Sequence, residues 1–406
     1  MTPWLAVVGI NEDGLPGLPT SAQALIERAD VLVGGARHLT MVPNNHAAER
    51  LVWDSPLTRT IDAIAARRGQ RVTVLATGDP MSFGIGVTLA QRFTPDEMIV
   101  VPAPSAFSLA CARLAWPLQD VELLTLHGRP FEAIHLHFTP GARLLILSAD
   151  GHTPRKIAAA LIASGYGPSA MTVFEHMGGQ DENWTDAPAA EWGERVTTDL
   201  NTVAVECRAG PDARPLTRLA GLPDDAFLHD GQLTKQEVRA ATLAALAPLP
   251  GEMLWDVGAG CGSIAIEWLR GARHTRAIAV ERDAERAQLI AENALRLGTP
   301  QLEIARGAAP GMLEALARPD AVFIGGGLTE SGLPEACWSA LAPGGRLVAN
   351  AISIEGEAVL SRLRQTFAGR MTRFAIARAE PVGSFHAWRP LMPVTQLVAR
   401  KPTACA

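Results

Sequence analysis

Aromatic side chains are scarce in this sequence: phenylalanine, tryptophan and tyrosine make up 5% of its 406 residues, and Tyr166 is its one tyrosine. Proteins that grip nucleic acid lean on a basic surface, and single-strand binders add aromatic platforms. Here the formal net charge is -6, so no nucleic-acid partner is expected. Long apolar runs are missing as well. No stretch of about 18 uninterrupted apolar residues occurs, and no membrane partner is expected. The opening run Leu5 to Ile10 is short and has no basic residues ahead of it, unlike a secretory signal. Cysteine is sparse too: Cys111, Cys207, Cys261, Cys337 and Cys405 are odd in number, far apart and without a C-x-x-C pair. Neither a disulfide framework nor a zinc site is therefore expected, and a reducing cytoplasm is the expected location.

What the chain does have is globular character, with 48% hydrophobic and 19% charged residues. Its length exceeds what one hydrophobic core usually serves, which predicts two domains. The clearest break is Cys207 to Pro223, where proline, glycine and arginine interrupt any period after the strand-like run Thr202 to Val205. The division expected is residues 1–206, a linker over 207–225, and a second domain over 226–402.

Before the linker, short apolar runs alternate with helix-length segments: Leu5 to Ile10, Val31 to Gly34, Arg71 to Ala76, Met98 to Val101, Leu144 to Leu147 and Met171 to Phe174. Such alternation predicts α/β architecture with parallel sheets. The proline-rich Val101 to Ser105 divides this half into two smaller lobes. After the linker the pattern predicts strands over Met253 to Val257, Ala277 to Glu281, Leu302 to Ala305, Ala321 to Gly325, Arg346 to Ile352, Phe374 to Ala377 and Val394 to Val398. That is a seven-stranded, mostly parallel sheet whose final strand is antiparallel. Helices are expected from about Ser263, over Asp283 to Leu297 and near Glu355 to Thr366.

The strongest chemical signal is Asp256-Val-Gly-Ala-Gly-Cys-Gly262, between a strand and a helix. There a glycine-rich backbone and a helix N-terminus face the ligand. Its G-x-G-x-G spacing departs from the G-x-G-x-x-G of nicotinamide sites, and an acid stands two residues before the first glycine. It resembles class I S-adenosylmethionine methyltransferases. The resemblance implies that Asp256, Gly258, Ala259, Gly260, Cys261 and Gly262 hold the methionine part of that cofactor. A carboxylate beside its ammonium group makes electrostatic sense. Glu281, at the end of the next strand, is placed to accept the ribose hydroxyls.

Two further segments resemble the decarboxylating precorrin methyltransferases. Asp230-Gly-Gln-Leu-Thr-Lys-Gln-Glu-Val-Arg239 matches an entry segment whose threonine, here Thr234, closes over the cofactor. By local rules alone, Thr234 is an N-cap with Glu237 completing a capping box. Arg306-Gly-Ala-Ala-Pro310 resembles an adenine-side loop, with Ala309 carried over and Ala308 standing where the family has aspartate.

In the first half, Val8-Gly-Ile-Asn-Glu-Asp-Gly14, Leu75 to Gly86, Pro102 to Phe107, Leu126-His-Gly-Arg-Pro130 and Val173 to Gly179 together resemble the tetrapyrrole methylase family. The resemblance implies a two-lobed fold with a second S-adenosylmethionine site at Gly9, Gly78, Asp79 and Pro80. Asn11 replaces a glycine there, and asparagine tolerates a left-handed backbone. His135 and His137 read as strand neighbours on the surface, without metal-ligand partners.

The two halves combined resemble the fused, decarboxylating precorrin methyltransferases of aerobic cobalamin biosynthesis. By that resemblance the first domain methylates carbon 5 of a tetrapyrrole, and the second methylates carbon 15 and removes carbon dioxide from the ring C acetate. A polyanionic macrocycle calls for local basic residues: Arg129 in the first domain, Lys235, Arg239 and Arg389 in the second. Gly383 to Pro390 is expected to form an inserted hairpin over the substrate, and homo-oligomers are expected as in relatives. A different tetrapyrrole or an RNA substrate, a dehydrogenase, or a non-catalytic cofactor sensor are the competing readings.

Overall fold

The computed structural model describes residues 3–403, so Cys405 lies outside the described residues. The chain divides into one unit of Met1–Arg129 with His137–Pro215 and another of Pro130–Leu136 with Leu216–Ala406.

The first unit begins with five strands: β1 (Leu5–Ile10), β2 (Val31–Gly34), β3 (Glu49–Val52), β4 (Val72–Thr77) and β5 (Met98–Val101). They form an all-parallel sheet in the order β3-β2-β4-β1-β5. Every residue of β1 is buried, because its neighbours point to both covered faces. Leu5, Val7 and Val74 join one cluster, while Ala6, Val8 and Leu75 join the other.

After Pro102 to Ser105 come β6 (Glu122–Thr125), β7 (Arg143–Leu147), β8 (Ala170–Glu175), β9 (Asn183–Pro188) and β10 (Asn201–Glu206). This sheet, in the order β6-β7-β10-β8-β9, corrects the expectation of parallel pairing throughout: only β6 and β7 run parallel. Buried apolar strands look alike in either sheet type, so their composition carried no direction. Phe107 and Cys111 of the helix Ala106–Leu114 pack on this sheet. His135 and His137 are not strand neighbours either. They lie in a short helical segment, Phe131–His137, and both are half-buried, with His137 Nδ1 3.3 Å from Glu122.

The second unit contains β11 (Met253–Val257), β12 (Arg276–Glu281), β13 (Glu303–Arg306), β14 (Ala321–Ile324), β15 (Arg346–Ala351), β16 (Arg370–Phe374), β17 (Ala377–Val382), β18 (Phe385–Pro390) and β19 (Val394–Arg400). Seven of them form the expected sheet, β13-β12-β11-β14-β15-β19-β16, parallel except for the antiparallel β19. The run Phe374 to Ala377 is displaced: β16 ends at Phe374, and Ala377 opens a hairpin of β17 with β18.

Alternation along β11 builds two cores. Leu254 faces helices Gln236–Leu246, Ser263–Gly271 and Ala284–Arg296, whereas Met253 and Trp255 face Leu333–Ala340 and Ile354–Thr366. The result is three layers, with every parallel strand ending at one edge of the sheet.

Candidate active sites in the two units

At that edge β11 runs into the glycine loop. Gly258, Gly260 and Gly262 all take positive φ, of 70°, 61° and 79°, which side-chain-bearing residues avoid. Gly258 also has no room for more: a Cβ there would lie 2.6 Å from the Gly326 backbone. The loop is held by Gly258 N–H donating to Val280 (2.9 Å) and by Gly260 N–H donating to Glu281 Oε2 (2.9 Å).

Glu281 and Asp256 are both buried beside this loop. The other oxygen of Glu281 accepts from Asp283 N–H at 3.0 Å, so the carboxylate is oriented from two sides. Asp256 Oδ2 accepts from Ala265 N–H at 3.0 Å, while its Oδ1 is buried without a partner. Burial, and secondarily the charge of Glu281, pushes the Asp256 carboxyl up to about 7. An unpaired buried carboxylate oxygen is costly.

A cavity of about 950 Å³ opens onto these residues. Asp256, Gly258, Ala259, Gly260, Cys261, Glu281, Ala308 and Ala309 line one side, and Thr234 and Lys235 of the entry segment line another. Gly262 is not part of the lining. It packs on Ile290, where a Cβ would meet the side chain at 2.9 Å, and so seats the loop on its helix neighbour. Burial also pushes the Cys261 thiol up, keeping it a small apolar filler.

The entry segment corrects two expectations. Thr234 does not cap the following helix: Lys235 holds the N-cap position, with no side-chain capping bond. Glu237 instead binds Arg378 of β17, at 2.6 and 3.0 Å. Arg239 is not available to a substrate, being fully buried. Its Nε donates to Glu267 at 2.6 Å, its Nη1 reaches Asp224 at 3.2 Å, and its remaining donors meet the carbonyls of Thr234 and Leu222. It organises the segment that carries Thr234.

Arg389 lies exposed on the hairpin, 3.2 Å from Glu380, and does not line the cavity. Arg129, in the first unit, is exposed.

Several contributors escaped the sequence. Asn293, fully buried, donates to the carbonyls of both Leu228 and Cys261 and so ties the entry segment to the glycine loop. Asn350 lines the cavity while bonded to Thr242 and Gln396. Ile352, Phe374, Leu391 and Met392 give the cavity an apolar floor. Its signal lay only in the strand ends and the hairpin foot.

The first unit builds its site differently. Gly9, near the end of β1, passes so close to the turn after β4 that a Cβ would lie 1.9 Å from the Gly78 carbonyl oxygen. Gly78 itself has φ 59°, and its carbonyl accepts from Ala103 N–H at 3.2 Å. Asp79 Oδ1 closes the turn on Met81 N–H at 2.8 Å. Pro80 crowds Gly84 and Gly86, where added Cβ atoms would each lie 2.7 Å from its oxygen. Asn11 is not left-handed; the positive φ of this loop falls at Gly14. Its amide instead donates to the Pro104 carbonyl at 3.2 Å, joining two loops.

Among the described residues no three His, Cys, Asp or Glu side chains gather as metal ligands, and no helix is long and apolar enough to cross a membrane. The family models that match the two halves of the chain define the class, a methyltransferase built of two domains. Residues 5–192 match the family model of tetrapyrrole (corrin/porphyrin) methylases, and residues 225–401 match that of the precorrin methyltransferase domain.

The chain is 48% identical, over 98% of its length and 96% of the relative, to the precorrin-6Y C(5,15)-methyltransferase [decarboxylating] of a Sinorhizobium species. It belongs to that family. Two Salmonella typhimurium proteins are similar to parts of it. The cobalt-precorrin-7 C(5)-methyltransferase is 33% identical over 50% of this chain and 98% of its own. The cobalt-precorrin-6B C(15)-methyltransferase (decarboxylating) is 32% identical over 44% of this chain and 96% of its own.

Proposed function

We propose that this enzyme serves cobalamin biosynthesis by transferring two methyl groups from S-adenosylmethionine to carbons 5 and 15 of a precorrin-6 macrocycle and decarboxylating the ring C acetate, giving precorrin-8. The observation that carries this is the end-to-end match to a C(5,15)-methyltransferase by a chain that joins both domain types. We assign carbon 5 to the first unit, with one cofactor at Gly9, Gly78, Asp79 and Pro80. Carbon 15 and the decarboxylation go to the second, with another cofactor at the loop Asp256 to Gly262.

The existence of relatives whose names carry each half-reaction separately supports that division. The orphaned Asp256 Oδ1 and the cavity before it fit a ligand with an ammonium group. When bound, the cofactor supplies an electrophilic methyl on sulfur. The residues of the second unit hold and align: Asp256 meets the ammonium, Glu281 the ribose, and Thr234 with Lys235 closes the entry side. Alignment is the main demand of a methyl transfer to a carbon nucleophile. The ring's own conjugation serves as electron sink for loss of carbon dioxide. Lys235 and the apolar floor are assigned to the substrate's carboxylates and ring face. Association into a homo-oligomer belongs to the same proposal and is read by sedimentation.

The test is incubation of the full chain with methyl-labelled S-adenosylmethionine and precorrin-6, followed by mass spectrometry. Two labelled methyl groups gained and one carbon dioxide lost is the expected product. An unchanged macrocycle overturns the proposal.

A further inference from the structure

The first unit holds a side-chain cluster that the methyl-donor site does not use. Glu12 follows β1 by two residues, Thr77 ends β4, Arg37 is the second residue of the short helix Ala36–Thr40 after β2, and His176 follows β8 directly. His176 Nδ1 lies 2.9 Å from Glu12 Oε2, the other Glu12 oxygen pairs with the Arg37 guanidinium, and Arg37 Nη2 donates to Thr77 Oγ1 at 3.1 Å. All four line one small cavity, together with Asn11.

Three features mark His176 as more than a filler. Its backbone is left-handed, φ 49°, which costs a non-glycine residue free energy and persists only where the surroundings enforce it. Here they do: its N–H donates to Leu200 at 3.2 Å, and its carbonyl accepts from Gly179 at 3.0 Å. Next, a carboxylate on Nδ1 fixes the tautomer, placing the proton there and leaving Nε2 as the acceptor. Nε2 has no protein partner among the described residues. Last, the cluster sits at the carboxyl ends of β1 and β4, where ligands of a parallel sheet bind, and Thr77 adjoins the Gly78-Asp79-Pro80 turn.

We propose that His176, oriented by Glu12, accepts the proton released from the ring carbon that the first unit methylates. The inference rests on the assignment of carbon 5 to that unit. In the step, π electrons of the ring carbon form the new C–CH3 bond as the S–CH3 bond breaks. The electron pair stays on sulfur, leaving S-adenosylhomocysteine. The C–H bond of the now tetrahedral carbon then breaks, its electrons restore the conjugation, and its proton passes to Nε2. The Nδ1 proton remains in its bond to Glu12 until Nε2 returns its proton to water. Glu12 is a positioning residue, and Arg37 holds its second oxygen.

The test uses the full chain with His176→Asn, a residue that also tolerates a left-handed backbone, His176→Gly with added imidazole, and Glu12→Gln. Carbon 5 methylation in His176→Asn should fall by roughly 10²- to 10⁴-fold, the span of general-base contributions. A primary isotope effect from deuterium on carbon 5 should appear, because deprotonation becomes limiting. Calorimetric affinity for S-adenosylhomocysteine and the carbon 15 reaction should stay unchanged. Imidazole should restore part of the rate in His176→Gly. Glu12→Gln should lower kcat with little change in KM.

An unchanged carbon 5 rate in His176→Asn, or a loss that follows lost S-adenosylhomocysteine binding, overturns the role. A parent chain that leaves carbon 5 unmethylated refutes the assignment of the unit instead, a distinct result.

Discussion

Both units bring glycines to the carboxyl ends of parallel strands, and they use them for different physical reasons. In the second unit Gly258, Gly260 and Gly262 are needed for their positive φ, which lets the loop turn before a cavity of about 950 Å³. In the first unit Gly9 has no unusual φ; it is needed because two backbone segments touch, with the Gly78 oxygen 1.9 Å from where a Cβ would be. Gly258 answers to both demands, a positive φ and closeness to Gly326, whereas Gly9 answers to close approach alone. The ionisable groups differ in the same sense. The second unit buries carboxylates suited to holding a cation, and the first sets a histidine against a carboxylate, suited to moving a proton.

The largest expected effects come from filling either glycine. Gly9→Ala should displace the turn after β4 and cut carbon 5 methylation by about 10²-fold or more, since a shift of about 1 Å suffices for that. Gly258→Ala should do the same to carbon 15 methylation and decarboxylation, through both its φ and the Gly326 contact. Product analysis by mass spectrometry separates the two. Loss of both reactions in either variant would break the comparison, because the sites would then not be independent.

Much of the scaffold was legible beforehand, and the exceptions have causes. The strands β1, β2, β5 and β11 lie where their apolar runs predict, with β1, β2 and β11 buried throughout and β5 half-buried at the edge of its sheet. The edge strands β3 and β9 were missed because they carry Glu49, Arg50, Asn183 and Asp186 where an apolar run would have signalled a strand. The glycine loop was readable because its requirement is local. Arg239 was misread because its partners Asp224 and Glu267 lie 15 and 28 residues away, and only the fold brings them together. The His176–Glu12 pair, 164 residues apart, had no local signal for the same reason.

The next effect in size tests that corrected role. Replacing Arg239 by methionine leaves Glu267 buried without its cation, and breaking a buried pair costs about 3–5 kcal/mol. Hydrogen exchange should show the second unit opening more readily while amides of the first unit keep their protection. If instead KM for the macrocycle rose with no loss of protection, Arg239 would be a substrate ligand after all.

Asp256 sharpens the contrast between cation holding and proton transfer. Its carboxyl is raised to about 7 in the folded chain, against an ordinary value near 3.8. The folded state therefore binds the proton more tightly than the unfolded one, and the unliganded second unit loses stability as pH rises from about 4 through about 7. Ligand binding runs the other way, since an ammonium group prefers the ionised carboxylate. Affinity of the second unit for S-adenosylhomocysteine should rise by up to about tenfold per pH unit below pH 7 and level off above it. Calorimetry in two buffers of different ionisation enthalpy should register a proton released on binding. Asp256→Asn should weaken binding and flatten the profile; an unchanged profile would remove Asp256 from the ammonium site.

The smallest expected effect belongs to the foot of the hairpin. Arg378 bridges Glu237 and Asp224, at 2.6 and 3.0 Å, and these partners hold the guanidinium well above its ordinary range. The residue is one-third exposed, so solvent screens the pairs, and exposed ion pairs contribute about 0.2–1 kcal/mol each. Arg378→Gln should thus leave global stability within about 2 kcal/mol of the parent. The hairpin foot also supplies Pro390, Leu391 and Met392 to the cavity, and Glu237 belongs to the helix that follows Thr234. Loosening that tie should raise KM for the macrocycle at the carbon 15 step and leave the carbon 5 step alone. The KM difference between Arg378→Gln and the parent should shrink as ionic strength rises, because salt weakens a bridge that only the parent has. A change in the carbon 5 step would show that the hairpin serves the first unit's reaction too.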